Sequence, residues 1–330
     1  YKYLGIPFTT KLSMRSTVAE ICRKGKRGVT EILKCLRKLG SSDSFIFWKL
    51  FDAQIQPMLS YGAEIWGLSD NSDVEKVHTF AIKRFLSVPL HASNTILYGE
   101  TGRYPLYTKL YIKCLKYWLK LIKMPATRLC KQAYQMLLNE FEKGKENWAY
   151  LVKKTLFVHG FGIVWMCQGV GYEERFISEF KDRLISSYKQ DWHSKLENID
   201  KYNWFFGFKN IFEPERYITV VTNKWHRISL TRFRSRTLGL NAYKTWFQTE
   251  PSFLSPCPMC GFFREDELHF LFHCQAYENI RKKCIVFQTN FAKHCNLFRM
   301  LQSSKEDLVQ SLAMYIAEAF KLRRENENVN

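Results

Sequence analysis

The sequence predicts a mainly α protein with one short N-terminal strand and a small metal-binding knuckle near its C-terminal end. Three observations lead there: apolar residues recur at helical spacing through most of the chain, strand-like character is confined to the first few residues, and the one Cys-x2-Cys pair is followed by His269, His273 and Cys274. At 330 residues and 46% hydrophobic content the chain can bury one large core or two smaller ones.

Taken in order, Tyr1-Lys2-Tyr3-Leu4-Gly5-Ile6-Pro7 reads as one strand ended by Gly and Pro. Helical periodicity begins after Ser13, and residues 11–38 carry nine basic residues against Glu20 and Glu31. Over 44–66, Phe47, Phe51, Ile55, Met58, Leu59, Gly62 and Ile65 fall near a period of 3.6, with Asp43 or Ser44 as N-cap and Pro57 placed to kink the helix. Further helices are expected over 74–86, 106–123, 127–141, 173–196 and 218–238, with two more after residue 275. Breaks fall at 87–104, 142–147, 198–214 and 249–258, and the polar tail 323–330 reads as disordered. The most apolar run, 156–170, contains His159, Gln168 and three glycines and is shorter than the ~20 apolar residues a bilayer needs, so it reads as buried core and no membrane partner is expected.

Lys plus Arg number 50 against 31 for Asp plus Glu, a formal charge of +19, and 16% of the residues are aromatic. That balance suits a folded protein with a polyanionic partner better than a neutral metabolic enzyme. Lys109, Lys113, Lys116, Lys120 and Lys123 recur at intervals of four and three in a stretch without acids. They form a stripe ~21 Å long at ~1.5 Å per residue, with Leu106, Leu110, Cys114, Trp118 and Ile122 on the core side. A second acid-free stretch, 216–249, carries Lys224, Arg227, Arg232, Arg234 and Arg236 among Trp225, Phe233, Tyr243 and Trp246, a mixture that phosphates and stacked bases would use together. The lysines of the stripe and these five residues are the candidate nucleic-acid contacts.

Ten cysteines are too dilute for a disulfide scaffold, and no basic-then-apolar leader opens the chain, so a reducing compartment, nuclear or cytoplasmic rather than secreted, is expected. A start at Tyr1 rather than Met suggests a piece entered within a domain. Cys257-Pro258-Met259-Cys260-Gly261, then His269 eight residues on, has metal-ligand spacing, and four protein donors would make a structural tetrahedral zinc site with no water left to activate. The fourth ligand is open between two residues. On a regular helix His273 shares the face of His269 at i, i+4, whereas Cys274 points ~140° away unless the helix unwinds. Cys284, His294 and Cys295 read as core or surface residues. A zinc hydrolase is disfavoured because no His-Glu-x-x-His arrangement is present.

Tyr3-Leu4-Gly5, the run Pro57-Met58-Leu59-Ser60-Tyr61-Gly62-Ala63-Glu64-Ile65-Trp66, the run Gly99-Glu100-Thr101-Gly102-Arg103-Tyr104-Pro105-Leu106, and the segment from Arg232 through Glu265-Asp266-Glu267-Leu268-His269 to Cys274, Tyr277 and Arg281 together resemble non-LTR (LINE-type) retrotransposon reverse transcriptases. The likeness is to the end of the palm, the helical thumb and the C-terminal zinc-binding region. It implies the end of the palm at 1–12, a thumb at 13–98, a helical C-terminal region at 99–250, a zinc knuckle at 251–283 with ligands Cys257, Cys260, His269 and Cys274, and terminal helices with a polar tail at 284–330. RNA and DNA are the implied partners, together with the missing palm and fingers. The family's paired catalytic aspartates hold Mg ions, and no Asp-Asp occurs here, so Mg is expected only in the missing palm and this part does not polymerise on its own. The alternative is a host-derived zinc-containing module that binds other proteins. The sequence assigns no oligomeric state.

Overall fold

The computed structural model describes residues 2–3, 6–7, 14–69, 71–244 and 255–327. The described residues are mostly helical, with a two-residue antiparallel pair of Lys2–Tyr3 against Ile6–Pro7 and one isolated bridge, Ser255 to Arg264. The single N-terminal strand expected from sequence is thus two shorter ones. Contacts divide the chain into two compact units, one of residues 1–35, 48–81 and 104–191 and another of 36–47, 82–103 and 192–330.

In the first unit, the Arg15–Lys38 helix buries Val18, Ile21, Cys22, Val29 and Ile32. Gly28 leaves room for the Ile55 side chain, whose Cδ1 would lie 2.4 Å from an added Cβ. The helix expected over 44–66, whose first four residues are assigned to the second unit, is broken into Ser44–Leu50, a π-helical turn Phe51–Ile55, Gln56–Leu59 and Ala63–Trp66. Pro57 sits in the first turn of the third piece and has no amide to continue the ladder, so the chain absorbs an extra residue just before it. Gly62, at φ 67°, makes the next turn.

The Tyr107–Lys123 helix supplies the centre of this unit's core. Cys114 donates to the Ala63 carbonyl at 2.9 Å, and the buried Trp118 donates its indole N–H to the Tyr134 hydroxyl at 2.8 Å, which in turn donates to Gln168 at 3.0 Å. Trp165 stacks on Trp118 at 5.8 Å, and Leu156, Val164, Phe176, Phe180 and Leu184 complete the cluster. The apolar run 156–170 is therefore only half core. Phe157 and Val158, at the end of the Trp148–Val158 helix, and Ile163 and Met166, on the outer side of the short Gly162–Met166 helix, face outward. Among the described residues no helix is long and apolar enough to cross a membrane.

In the second unit, the Asn94–Thr101 helix is buried from Ile96 onward, and the long C-terminal helix Glu306–Glu327 lies along Lys224–Arg234. The motif around Glu100 is explained residue by residue. Gly99 faces Trp192, where a Cβ would come within 2.5 Å of the indole. Gly102, at φ 62°, abuts Pro214, whose ring nitrogen would lie 2.5 Å from an added Cβ. Glu100 accepts from Arg234 Nε at 2.9 Å, with both side chains almost wholly buried.

Three expectations change here. The helix expected over 218–238 is split into Tyr217–Val220 and Lys224–Arg234, because Asn223 caps the second piece by accepting from the amides of Trp225 and His226. Among the described residues four α-helices, not two, follow residue 275: Glu278–Lys283, Asn290–Lys293, Leu297–Leu301 and Glu306–Glu327. The tail from 323 is helical to Glu327, anchored by the buried Arg323, and 328–330 lie outside the described residues. So do Trp246 and most of the break at 249–258.

Candidate metal centre

Cys257, Cys260, His269 and Cys274 bring one ligand atom each to within 4.8 Å of one another. Two local devices assemble them. The first is a tight turn in which the Gly261 amide donates to the Cys257 carbonyl at 2.9 Å and the Cys257 amide to the Phe262 carbonyl at 2.8 Å. Gly261 takes φ 73°, a conformation that costs a glycine little. The second is a π-helical turn, His269–His273, closed by the Cys274 amide on the His269 carbonyl at 2.8 Å. An i→i+5 bond fits one more residue into the turn than an α-helix holds, and this swings Cys274 back over His269. The backbone leaves the helix at Cys274 with φ −65° and ψ 115°. His273 is exposed and stands outside the cluster, as do Cys284, His294 and Cys295.

The spacing fits a tetrahedral ion. At a metal–sulfur length of about 2.3 Å, sulfurs on a tetrahedron are about 3.8 Å apart; Cys257 Sγ and Cys274 Sγ are separated by 3.9 Å, and Cys260 Sγ lies 3.3 Å from His269 Nε2. A hydrogen bond between the two thiols pulls Cys257 below the ordinary thiol range and pushes Cys274 above it. Phe262 stacks parallel on the His269 ring at 4.7 Å and fixes its plane. His269 Nδ1 is buried with no hydrogen-bond partner.

Residues around the four ligands hold them in place; sequence reasoning had Glu265, Asp266, Glu267 and Arg281 only as part of a motif and Arg236 as a nucleic-acid contact. Asp266 accepts from the His269 amide at 2.9 Å and starts the ligand turn. Glu265, fully buried, receives Arg323 Nε at 2.6 Å and Nη2 at 2.9 Å and also accepts the Asn241 amide. Glu267 pairs with Arg236 at 2.5 Å. Arg281 donates to the Cys274 carbonyl at 2.5 Å, and the Tyr315 hydroxyl donates to the Phe270 carbonyl at 2.6 Å. Three consecutive acids just before the histidine were the available signal.

The candidate nucleic-acid contacts divide into exposed and structural residues. In the lysine stripe, Leu106, Leu110, Cys114 and Trp118 are buried as expected and Ile122 partly so. Lys116 and Lys120 are exposed with no ion pair among the described residues, whereas Lys109 lies 3.9 Å from Asp52, Lys113 3.8 Å from Glu64 and Lys123 2.7 Å from Glu173. These pairs are half exposed and each contributes little, about 0–1 kcal/mol. The arginine stretch needs correction. Arg234 is 2% exposed and bound by Glu100, Glu215 and the Leu301 carbonyl, and Arg227 is buried against the Ser42 and Val221 carbonyls. Each guanidinium reaches an internal acceptor far away in sequence, Glu100 for Arg234 and Ser42 for Arg227. Arg232 caps the Ser87 carbonyl with two donors, Arg236 lies 4.7 Å over Trp204, and Lys224 is exposed.

No family model matches the chain, and searches of curated proteins and of solved structures find no match either.

Proposed function

We propose that this chain is a zinc-stabilised nucleic-acid-binding part of a retrotransposon reverse transcriptase, which grips RNA or DNA and leaves RNA-directed polymerisation to a palm and fingers supplied elsewhere in its parent protein. The observation that carries the reading is the four-residue cluster of three thiols and one imidazole, the donor set that suits structural zinc. When bound, zinc would fill four protein positions and contribute folding energy rather than catalysis. Asp266 would orient the histidine end and Arg281 the Cys274 end, while Cys257 and Cys260 project from the Gly261 turn. On this reading residues 1–12 are the end of the palm, and the knuckle at 251–283 follows a helical thumb and C-terminal region.

The partner is read from charge. The formal charge of +19 survives into exposed faces, notably Lys116, Lys120 and Lys224 and the outer side of the Arg15–Lys38 helix. Salt titration of binding to single- and double-stranded oligonucleotides tests it. About six phosphate contacts give a slope of log K against log salt near −4 to −5, and a flat response would leave the second reading, a zinc-containing module for protein partners. The exposed apolar residues Phe157, Val158, Ile163 and Met166 are the feature that favours that second reading.

A further inference from the structure

In the second unit the Lys224–Arg234 and Glu306–Glu327 helices run side by side in the same direction: Gln310 Nε2 donates to the Val220 carbonyl at 3.0 Å near their starts, and Arg324 stands by Arg232 near their ends. An open groove of about 550 Å³ lies between them. Trp225, Ser229 and Arg232 face it from the first helix at intervals of four and three, and Ala317, Lys321 and Arg324 face it from the second at the same intervals. The buried Ile228 and Leu238 and the half-buried Phe320 line it with apolar surface.

The two ends of the groove differ in chemistry. At one end Trp225 is 72% exposed, although its amide already bonds the Asn223 cap at 2.9 Å and the helix start needs nothing from the indole. An exposed indole is a flat apolar surface that gains from being covered. Seven residues on, about 10 Å along the axis, Arg232 is fixed by donating Nε and Nη2 to the Ser87 carbonyl at 2.9 and 2.6 Å, which leaves the other three of its five N–H groups. Burial, and then the Arg324 guanidinium, hold Arg232 below the ordinary arginine range, so two like charges share this end. Glu318 and Glu325 are also in the wall, Glu318 acting on His226, yet among the described residues neither forms an ion pair with Arg232, Lys321 or Arg324. Two guanidiniums with no carboxylate bonded to either are relieved by a shared phosphate. A single strand offers an open base face and a phosphate at once, whereas a duplex keeps its bases stacked inside.

We propose that this groove holds a single nucleic-acid strand, with one base stacked on Trp225 and a neighbouring backbone phosphate on Arg232 and Arg324, Lys321 beside them. The proposal rests on the nucleic-acid reading above and narrows it to single strands at one place in the fold.

The experiment is fluorescence anisotropy of labelled oligothymidine and, separately, of a labelled DNA duplex, titrated with the full chain and with its Trp225→Ala, Trp225→Phe and Arg324→Gln variants. Both side chains are exposed, so the variants keep the fold, which circular dichroism checks. The expected result is that Trp225→Ala weakens oligothymidine binding about tenfold, as the loss of one stacked base implies, that Trp225→Phe restores most of it, and that duplex affinity does not change. Arg324→Gln should lower the salt slope of oligothymidine binding by about 0.7, one single-strand phosphate. Oligothymidine that binds Trp225→Ala as tightly as the unaltered chain overturns the groove and leaves the nucleic-acid reading standing. Loss of single strand and duplex alike in Trp225→Ala overturns the stacked base. If neither oligonucleotide binds the unaltered chain, the nucleic-acid reading fails and the strand with it, and the groove is left to a protein partner.

Discussion

Replacing Glu100 with Gln should destabilise the second unit far more than an ordinary carboxylate substitution, because it leaves Arg234 buried without its principal counter-charge. Glu100 is 0% and Arg234 2% exposed, and both carboxylate oxygens meet Arg234 Nε at 2.9 and 3.0 Å. Breaking such a pair on one side costs about 3–5 kcal/mol. Arg234 keeps Glu215 at 2.9 Å, but Glu215 is partly exposed and also serves Lys209 at 2.6 Å, so the loss should sit near the low end, about 3 kcal/mol. For a unit of this size that corresponds to a fall in Tm of about 6–12 °C by calorimetry. Arg234→Met combined with Glu100→Gln should recover a good part of the loss, since the uncompensated buried guanidinium is then gone. The reasoning is refuted if Glu100→Gln costs under about 1 kcal/mol, or if the double variant is as unstable as the two single losses added.

Four further outcomes follow from the same geometry. Cys274→Ala should abolish metal uptake measured by a colorimetric zinc release assay, while His273→Ala keeps it; the reverse pattern would move the fourth ligand back to the histidine. Replacing Lys116 and Lys120 with Ala should lower the salt slope of oligonucleotide binding by about 1–2 without changing the melting transition, and an unaltered slope removes the stripe from the interface. Gly102→Ala should cost about 2 kcal/mol or more in urea unfolding, because φ 62° and the Pro214 ring nitrogen both oppose a Cβ, and a neutral result would contradict that packing. Burial, with Arg183 nearby, holds the His159 imidazole below its usual 6.5. The unfolded chain then takes up the proton more readily, so this stabilisation is present above about 6.5 and is lost as pH falls through that value toward the folded one. His159→Gln should flatten the acid-side loss in urea midpoints, and an unchanged slope would count against the burial argument.

Helix content was legible because apolar periodicity writes itself into any amphipathic helix, as in Leu106, Leu110, Cys114 and Trp118. The four clustered donors could be named from spacing and resemblance, but helix geometry alone preferred His273. No residue pattern announces the i→i+5 turn that brings Cys274 back over His269. The fates of Arg227 and Arg234 were hidden for a different reason. A stretch without acids looks like an exposed cationic face, yet Glu100 stands 134 residues before Arg234 and Ser42 185 residues before Arg227, and only the fold reveals that each arginine is spoken for. The same distance effect gives three of the five stripe lysines acidic neighbours from Asp52, Glu64 and Glu173.

The most direct test of the metal centre is elemental analysis by plasma mass spectrometry of the full chain, purified without added chelator and then dialysed at neutral pH. About one zinc per chain is expected, falling to none in Cys257→Ser, with part of the helical circular dichroism lost alongside it. A well-folded chain with all four donors intact and no bound metal, even after zinc is supplied, would contradict the account.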